Sequence, residues 1–353
     1  MSDTIADMPT DCAVLPWADA SRVAWQAAFD AAPEGHPLAD PRWFDVIGRV
    51  WGVRRHVVVA PGRAGVLPVY EVRSIGGARH IFSPKHGLIA RDTGTAKALL
   101  EALGDHARSR RAHGVSVTSG WIDHAVPVAG RTRTAQELAL PADADTFWAG
   151  LRDKVRNTIR KAERAGIAVD RDPAHIDAFW RLQADAMAAR GLPVKPRGFF
   201  RDIAATFAAD MTLYTALSDG QTAGGMLVLR GRGTALYAFG AYDPVARDAG
   251  AASLLAWHAA RDLIAAGFSR FDLGESTKGG GTWRFKAGLG ASDRSVHYYD
   301  PLRPADAAQD VARPGHAAAE PSRPGRLRRA LLTLPEPLRR PALTALSGHG
   351  RLL

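Results

Sequence analysis

The chain has 353 residues, 46% hydrophobic and 23% charged, the balance of a soluble globular protein with room for two domains. A single cysteine, Cys12, excludes an internal disulfide framework and a multi-cysteine zinc centre. The formal net charge of +10 asks for anionic partners, while no stretch nears the roughly 20 apolar residues of a membrane span and the acidic start up to Pro16 lacks the layout of a secretory signal, so a cytoplasmic protein is expected.

Trp43, Phe44, Ile47 and Trp51 recur at helical spacing and predict a helix over 38–52. Strands follow at 56–60 and 65–72, separated by the Pro61-Gly62 turn. Ile81-Phe82 and Leu88-Ile89 flank a Ser-Pro-Lys-His-Gly loop; 96–111 reads as a helix, and the alternation around Val115 and Val117 as a strand. In the second half, helices are predicted at 175–190 and 199–209. Strands at 211–217 and 223–230 are joined by Ser218-Asp219-Gly220, a hairpin signal. A strand at 234–241, an alanine-rich helix at 250–266 and a strand at 268–273 complete the set. Strands with interleaved helices indicate an α/β or α+β layer structure, and the order helix, strands, helix, strand occurs twice about 150 residues apart.

From Pro301 the composition turns to Pro, Ala and Arg, and 301–325 reads as a linker. Leu327 to Leu346 holds two short leucine-bearing segments broken by Pro335, Pro337 and Pro341, expected to pack on the body in preference to an interfacial patch. Arg323, Arg326, Arg328, Arg329, Arg339, Arg340 and Arg351 face one acid, Glu336, so the tail is also a candidate for peripheral contact with a membrane's inner face.

Three stretches carry the chemistry. In Leu151 to Gly166, Leu151, Val155, Ile159 and Ala162 share one helical face, beside a stripe of Arg152, Arg156 and Arg160. Six cations against Asp153 and Glu163 make this helix self-repulsive, so an anion should compensate. Arg156, central and next to the apolar face, suits a phosphate, with Arg160 beside it. Second, Arg247-Asp-Ala-Gly250-Ala251-Ala252 opens the 250–266 helix, where free N–H groups and small residues admit a pyrophosphate. Third, Phe271 to Gly290 reads FDLGESTKGGGTWRFKAGLG: a strand, a glycine loop, then Trp283 and Phe285 alternating with Arg284 and Lys286. A lysine between apolar neighbours after such a loop suits an oxyanion or phosphate contact.

Strand alternation puts Tyr237 and Phe239 on one face. His258 beside Trp257 reads as a packing residue, and Asp272 and Glu275 as partners for Arg284 or Lys286, at most one of them a general base. No metal-ligand spacing and no Gly-x-Ser-x-Gly turn occurs, so metal and serine-hydrolase chemistry are not expected.

Lys-x-Arg-Asn-x-Ile-Arg-Lys-Ala-x-x-x-Gly from Lys154, Arg-x-x-Gly-x-Ala from Arg247 and Phe-Asp-Leu-Gly…Gly-Thr-x-x-Phe-Lys-x-x-x-Gly from Phe271 together resemble the FemAB-like branch of the GNAT acyltransferase superfamily, over roughly residues 35 to 300. The resemblance implies two tandem GNAT-like domains, each a mixed, mostly antiparallel sheet flanked by helices: a divergent one at 1–150 and an acyltransferase one at 151–300, with 301–353 as linker and basic tail. It also looks like FemAB-related proteins of exopolysaccharide and protein-sorting loci. It implies transfer of an acyl group to an amine or hydroxyl of a cell-envelope glycan or peptidoglycan-type precursor that is nucleotide- or lipid-linked. Lys286 would then stabilise the oxyanion and Tyr237 lie near the acceptor. Arg247, Gly250, Ala251 and Ala252 would hold acyl-CoA, and Arg156, Arg160 and Arg284 the substrate. The family's coiled-coil insertion is missing, which favours acyl-CoA over aminoacyl-tRNA as donor. A non-catalytic binder of anionic polymers and a pseudoenzyme with a vestigial donor loop are the alternatives; specific DNA binding is not expected.

Overall fold

The computed structural model describes residues 11–32, 35–119, 126, 128, 130–303 and 330–350. The expected linker lies outside them from residue 304 on, as do Arg323, Arg326, Arg328, Arg329 and Arg351 of the tail. The chain divides into two compact units: Met1–Arg133 with Ser295–Arg313 and Gly348–Leu353, and Thr134–Arg294 with Pro314–Ser347. Each is a layer of mixed sheet and helices. The proposed domain limits at 150 and 300 stand beside this contact division as a separate proposal.

In the first unit β1 (Ala13–Pro16), β2 (Arg54–Val59), β3 (Gly65–Arg73) and β4 (Arg79–Phe82) pair antiparallel in that order, with β5 (Ile89–Ala90) on β3. The helices α1 (Asp19–Ala31), α2 (Arg42–Trp51) and α3 (Thr93–Ser109) accompany them. β6 (Gly114–Ser119) runs parallel to β4, with α3 as the crossover between them. Ala96, Leu99, Leu100 and Leu103 of α3 cover Val58, Leu67 and Val69. On another cluster Trp25 and Phe44, rings 4.8 Å apart edge to face, pack against Val57, Val59 and Tyr70. Residues 93–109 and 42–51 thus bear out two of the helices expected from spacing, while β1 and α1 carry no strong periodic signal.

The second unit repeats the plan. From β7 (Gly130–Ala139), which enters it at Thr134, come α4 (Ala144–Gly150), α5 (Asp153–Arg164), β8 (Ala168–Asp170), α6 (Ile176–Ala189) and α7 (Arg197–Phe207). β9 (Met211–Ser218), β10 (Gln221–Arg230), β11 (Thr234–Tyr242), α8 (Pro244–Ala249), α9 (Ala251–Ala265), β12 (Arg270–Glu275) and α10 (Gly281–Gly288) follow. The strand order is β7-β12-β11-β10-β9-β8. Every pair is antiparallel except β11 with β12, which α8 and α9 connect. Asp219 and Gly220 both take positive φ, 49° and 73°, closing the β9–β10 hairpin read from the sequence. β13 (Ser292–Tyr299) begins here and pairs with β6 in the first unit's own residues from His297 to Tyr299.

The tail returns as α11 (Glu336–Ala345). Leu343, 1% exposed, packs with Ala184, Ala188 and Val194, so this segment sits on the second unit as expected. Arg339 donates to the carbonyls of Leu332 and Leu334, and Arg340 pairs with Asp185. Among the described residues no helix is long and apolar enough to cross a membrane.

Candidate active site

The parallel strands β11 and β12 are in register over only three pairs, Thr234 with Arg270, Ala235 with Phe271 and Leu236 with Asp272. Both continue, to Tyr242 and Glu275, without further mutual pairing. The sheet therefore parts just beyond Leu236 and Asp272. Backbone groups along such a parting need other partners, and a bound chain or ligand can supply them.

On the β11 side, the next residue is Tyr237. The structure corrects the expectation that it shares a face with Phe239. Tyr237 is opposite Val228 and Phe239 opposite Leu227, with Ala238 as the extra residue of a bulge. Phe239 packs edge to face on Phe199 and Phe200, whereas Tyr237 packs on the cluster containing Met226, Val228 and Leu254. Its hydroxyl lies 3.3 Å from that of Tyr242. Burial pushes the Tyr237 phenol up to about 12, and burial with the neighbouring hydroxyl raises Tyr242 well above its ordinary value. Both are protonated at neutral pH. The Tyr237 ring occupies the space that a side chain on Gly240 would need, since a Cβ there would stand 1.8 Å from its hydroxyl.

Beyond Tyr242, Asp243 caps α8 by accepting the N–H of Ala246 at 2.7 Å. Arg247 sits in the last turn of α8, and α9 starts at Ala251, within one residue of the expected 250–266. Gly250 joins the two helices at φ +103°, a conformation reserved for glycine. A Cβ at Gly250 would also stand 2.7 Å from Thr158 Cγ2 and 2.8 Å from the Thr158 carbonyl, so α5 approaches this joint closely. Ala251 and Ala252 open α9, where first-turn N–H groups have no acceptor within the helix. Arg247 is exposed, with a loose contact to Asp248 at 3.6 Å.

The charge of α5 is compensated largely by backbone. Arg156 donates to the carbonyls of Trp148 and Ala149, at 3.2 and 2.8 Å, and pairs with Asp153; it caps the C-terminal end of α4. Lys161 donates to the carbonyl of Asp248 at 2.8 Å, near the end of α8. Arg160 lies over the Trp148 ring, 5.6 Å from its centroid. The anion expected from self-repulsion is thus replaced in part by helix C-termini. Gly166, at φ +75°, stops the helix as read.

On the β12 side, an extra residue between Asp272 and Glu275 shifts the register against β7. Gly274 takes φ +74° there, and its N–H is accepted by Asp272 Oδ1 at 2.6 Å. This bulge turns two carbonyls onto Lys286. The Lys286 ammonium, 4% exposed, donates to Gly274 at 2.9 Å and Glu275 at 3.2 Å. Backbone contacts thus tie Lys286 to the strand that also carries Asp272 and Glu275. The alternation of Trp283 and Phe285 with Arg284 and Lys286 belongs to a helix, α10, in which Arg284 is exposed.

Four supporting residues were not read from the sequence: Gln136, Glu137, Arg270 and Arg294. Fully buried Gln136 on β7 accepts from Ser276 Oγ at 2.8 Å and donates to the Trp283 carbonyl at 3.2 Å, tying the glycine loop at both ends. Arg270 and Arg294 flank Glu137, whose carboxyl is raised chiefly by burial. His258 lies 3.3 Å from Arg171 and 3.4 Å from Arg261, and burial and these cations hold it down to about 4. It is a neutral packing histidine, as expected.

Residues 149–287 match the family model described as acetyltransferase (GNAT) domain. No curated protein sequence matches the chain. Among solved structures, FemX is 13% identical with TM-score 0.60, over 82% of this chain and 97% of that one. A tandem GNAT protein from the clavulanic acid biosynthesis pathway is 15% identical with TM-score 0.52, over 82% and 99%. The C-terminal domain of a putative lysylphosphatidylglycerol synthetase from Agrobacterium fabrum is 14% identical with TM-score 0.50, over 76% and 92%. At these identities the likeness is one of fold.

Proposed function

We propose, given the GNAT acetyltransferase domain that the second unit carries, that the protein transfers an acyl group from acyl-CoA to an amine or hydroxyl of a nucleotide- or lipid-linked cell-envelope glycan or peptidoglycan-type precursor. The observation that supports this most is the parting of β11 from β12 just beyond Leu236 and Asp272, with Tyr237 next on β11 and Lys286 held by carbonyls of β12. The donor's pantetheine arm would run along the unpaired strand edge. Its pyrophosphate would meet the N–H groups of Ala251 and Ala252, with exposed Arg247 as counter-charge.

In the reaction, the acceptor's lone pair attacks the thioester carbonyl, the C–S bond breaks, and the proton lost by the acceptor ends on the CoA thiolate. Lys286, held by two carbonyls at the edge of the parting, supplies fixed positive charge for the oxyanion. Tyr237, protonated at neutral pH, acts as a hydrogen-bond donor and not as a base. Arg160 and Arg284, both exposed, are the cations available to the acceptor's phosphates. Arg156 joins them only by exchanging the α4 carbonyls for phosphate oxygens.

The test is release of free CoA thiol from acetyl-CoA across a panel of nucleotide-linked amino sugars and lipid-linked precursors. Acceptor-dependent release, lost in Lys286→Met, supports the reading. Release that no acceptor stimulates removes the acyl-CoA reading, and transfer from aminoacyl-tRNA instead would replace its donor.

A further inference from the structure

The first unit contains a group of side chains that the acyl-transfer reading leaves unused. His56 on β2 and Glu71 on β3 are diagonal neighbours on one sheet face, because His56 is opposite Val69 and Arg54 opposite Glu71. This is the face that α3 covers, and α3 lowers His106 onto the same spot. Glu71 Oε1 lies 3.9 Å from His56 Nδ1 and 3.8 Å from His106 Nε2, and all three atoms fall within 4.8 Å of one another. Each is buried, and none has a hydrogen-bond partner. Glu71 itself is only 8% exposed. Buried polar atoms are almost always hydrogen-bonded, and among the described residues the only contacts of these three are ion-pair distances of 3.4 Å or more, to Arg110 and to one another, which leaves room for a shared ligand.

We propose that His56 Nδ1, His106 Nε2 and Glu71 Oε1 bind a divalent transition-metal ion of the zinc type, tying β2, β3 and α3 together. Imidazole nitrogen with one carboxylate is a zinc donor set, with bonds of about 2.0–2.2 Å. Donors on a tetrahedral ion of that kind stand about 3.3–3.5 Å apart, so the ligands would close on it with shifts on the order of half an ångström. A neutral imidazole is the form that ligates a metal ion.

The arginines around the site define its outer layer. Arg79 Nε lies 3.4 Å from Glu71 Oε2, which leaves Oε1 for the ion. Arg110 Nε stands 3.4 Å from Oε1 in an ion pair without a hydrogen bond, so loading moves Oε1 away from it while its terminal nitrogen keeps Oε2, at 3.5 Å. A cavity of about 210 Å³ lined by Arg54, Glu71, Val72, Arg73 and Arg79 opens beside the carboxylate. These cations favour an anionic fourth ligand, hydroxide or a small anion, entering from that cavity. The sequence hides the site because its ligands come from three elements at positions 56, 71 and 106 and form no spaced motif.

The full-length protein, stripped with chelator, is titrated with zinc alone against a chromophoric competitor, and its melting temperature is followed. Wild type should take up about one zinc per chain and melt higher when loaded. Glu71→Gln, His56→Ala and His106→Ala should each weaken uptake by at least about 10–100-fold, whereas His113→Ala, an exposed histidine of the same unit, should leave it unchanged. Should a site variant fold poorly, cobalt substitution of wild type decides: intense visible bands of a four- or five-coordinate ion support the site, and the weak spectrum of a six-coordinate ion overturns it. Absence of stoichiometric uptake by wild type, or uptake unchanged in all three variants, also overturns it.

Discussion

Lys286 donates its ammonium to the carbonyl of Gly274 at 2.9 Å, so a helix that follows the glycine loop is pinned to the strand that precedes it. The contact depends on Gly274 at φ +74°, which turns the strand's carbonyls inward. Lys286→Met removes a buried charge and leaves these carbonyls without their donor. We expect a loss of about 1–3 kcal/mol in urea unfolding and, if the lysine also serves the oxyanion, roughly a hundredfold or greater fall in kcat. Loss of stability with kcat intact would make Lys286 purely structural.

The joint between α8 and α9 gives a second prediction. Gly250→Ala places a Cβ at positive φ and against Thr158, and should cost about 1–3 kcal/mol. Adding Thr158→Ser removes the Cγ2 clash but not the carbonyl 2.8 Å away, so it should restore only part of the loss. Denaturant midpoints of the three proteins check this.

His258 sets a pH dependence. Its folded pKa of about 4 lies below its ordinary value of 6.5, so between these values the unfolded chain binds the extra proton. Its contribution to stability is therefore complete above about pH 6.5 and is lost as pH falls toward about 4. Urea midpoints of wild type should fall more steeply across this window than those of His258→Gln.

Docking of the tail segment should rest on Leu343, buried against Ala184, Ala188 and Val194. Leu343→Ala removes most of that side chain, a change that costs about 2–5 kcal/mol in a packed core. Limited proteolysis should cut the variant within 330–347 much faster than wild type, while acyl transfer persists.

Legibility in the sequence followed physical locality. Helices with strong apolar periodicity, such as α2 and α5, and the Asp219-Gly220 hairpin encode themselves in neighbouring residues, and were readable. The bulge at Ala238 was not: one extra residue leaves no mark in composition, yet it turns Tyr237 and Phe239 to opposite faces. The helix α10 was hidden by its glycines and by an accidental alternation of apolar and basic residues. The contacts of Arg156 to the carbonyls of Trp148 and Ala149 are to backbone and carry no side-chain signature. Gln136 escaped for a related reason, as its partners Ser276 and Trp283 are more than a hundred residues away.

The central claim is that the parted strands and the α9 N-terminus hold acyl-CoA. Its most direct test is calorimetric titration of wild type and Arg247→Ala with acetyl-CoA and CoA. Arg247 is exposed and Asp248 is its only ion-pair partner among the described residues, so its removal should leave the fold intact. The account predicts micromolar binding by wild type, weakened about tenfold or more in the variant, the equivalent of one charge-assisted contact. Wild type that binds neither ligand, or a variant that binds as tightly as wild type, would contradict it.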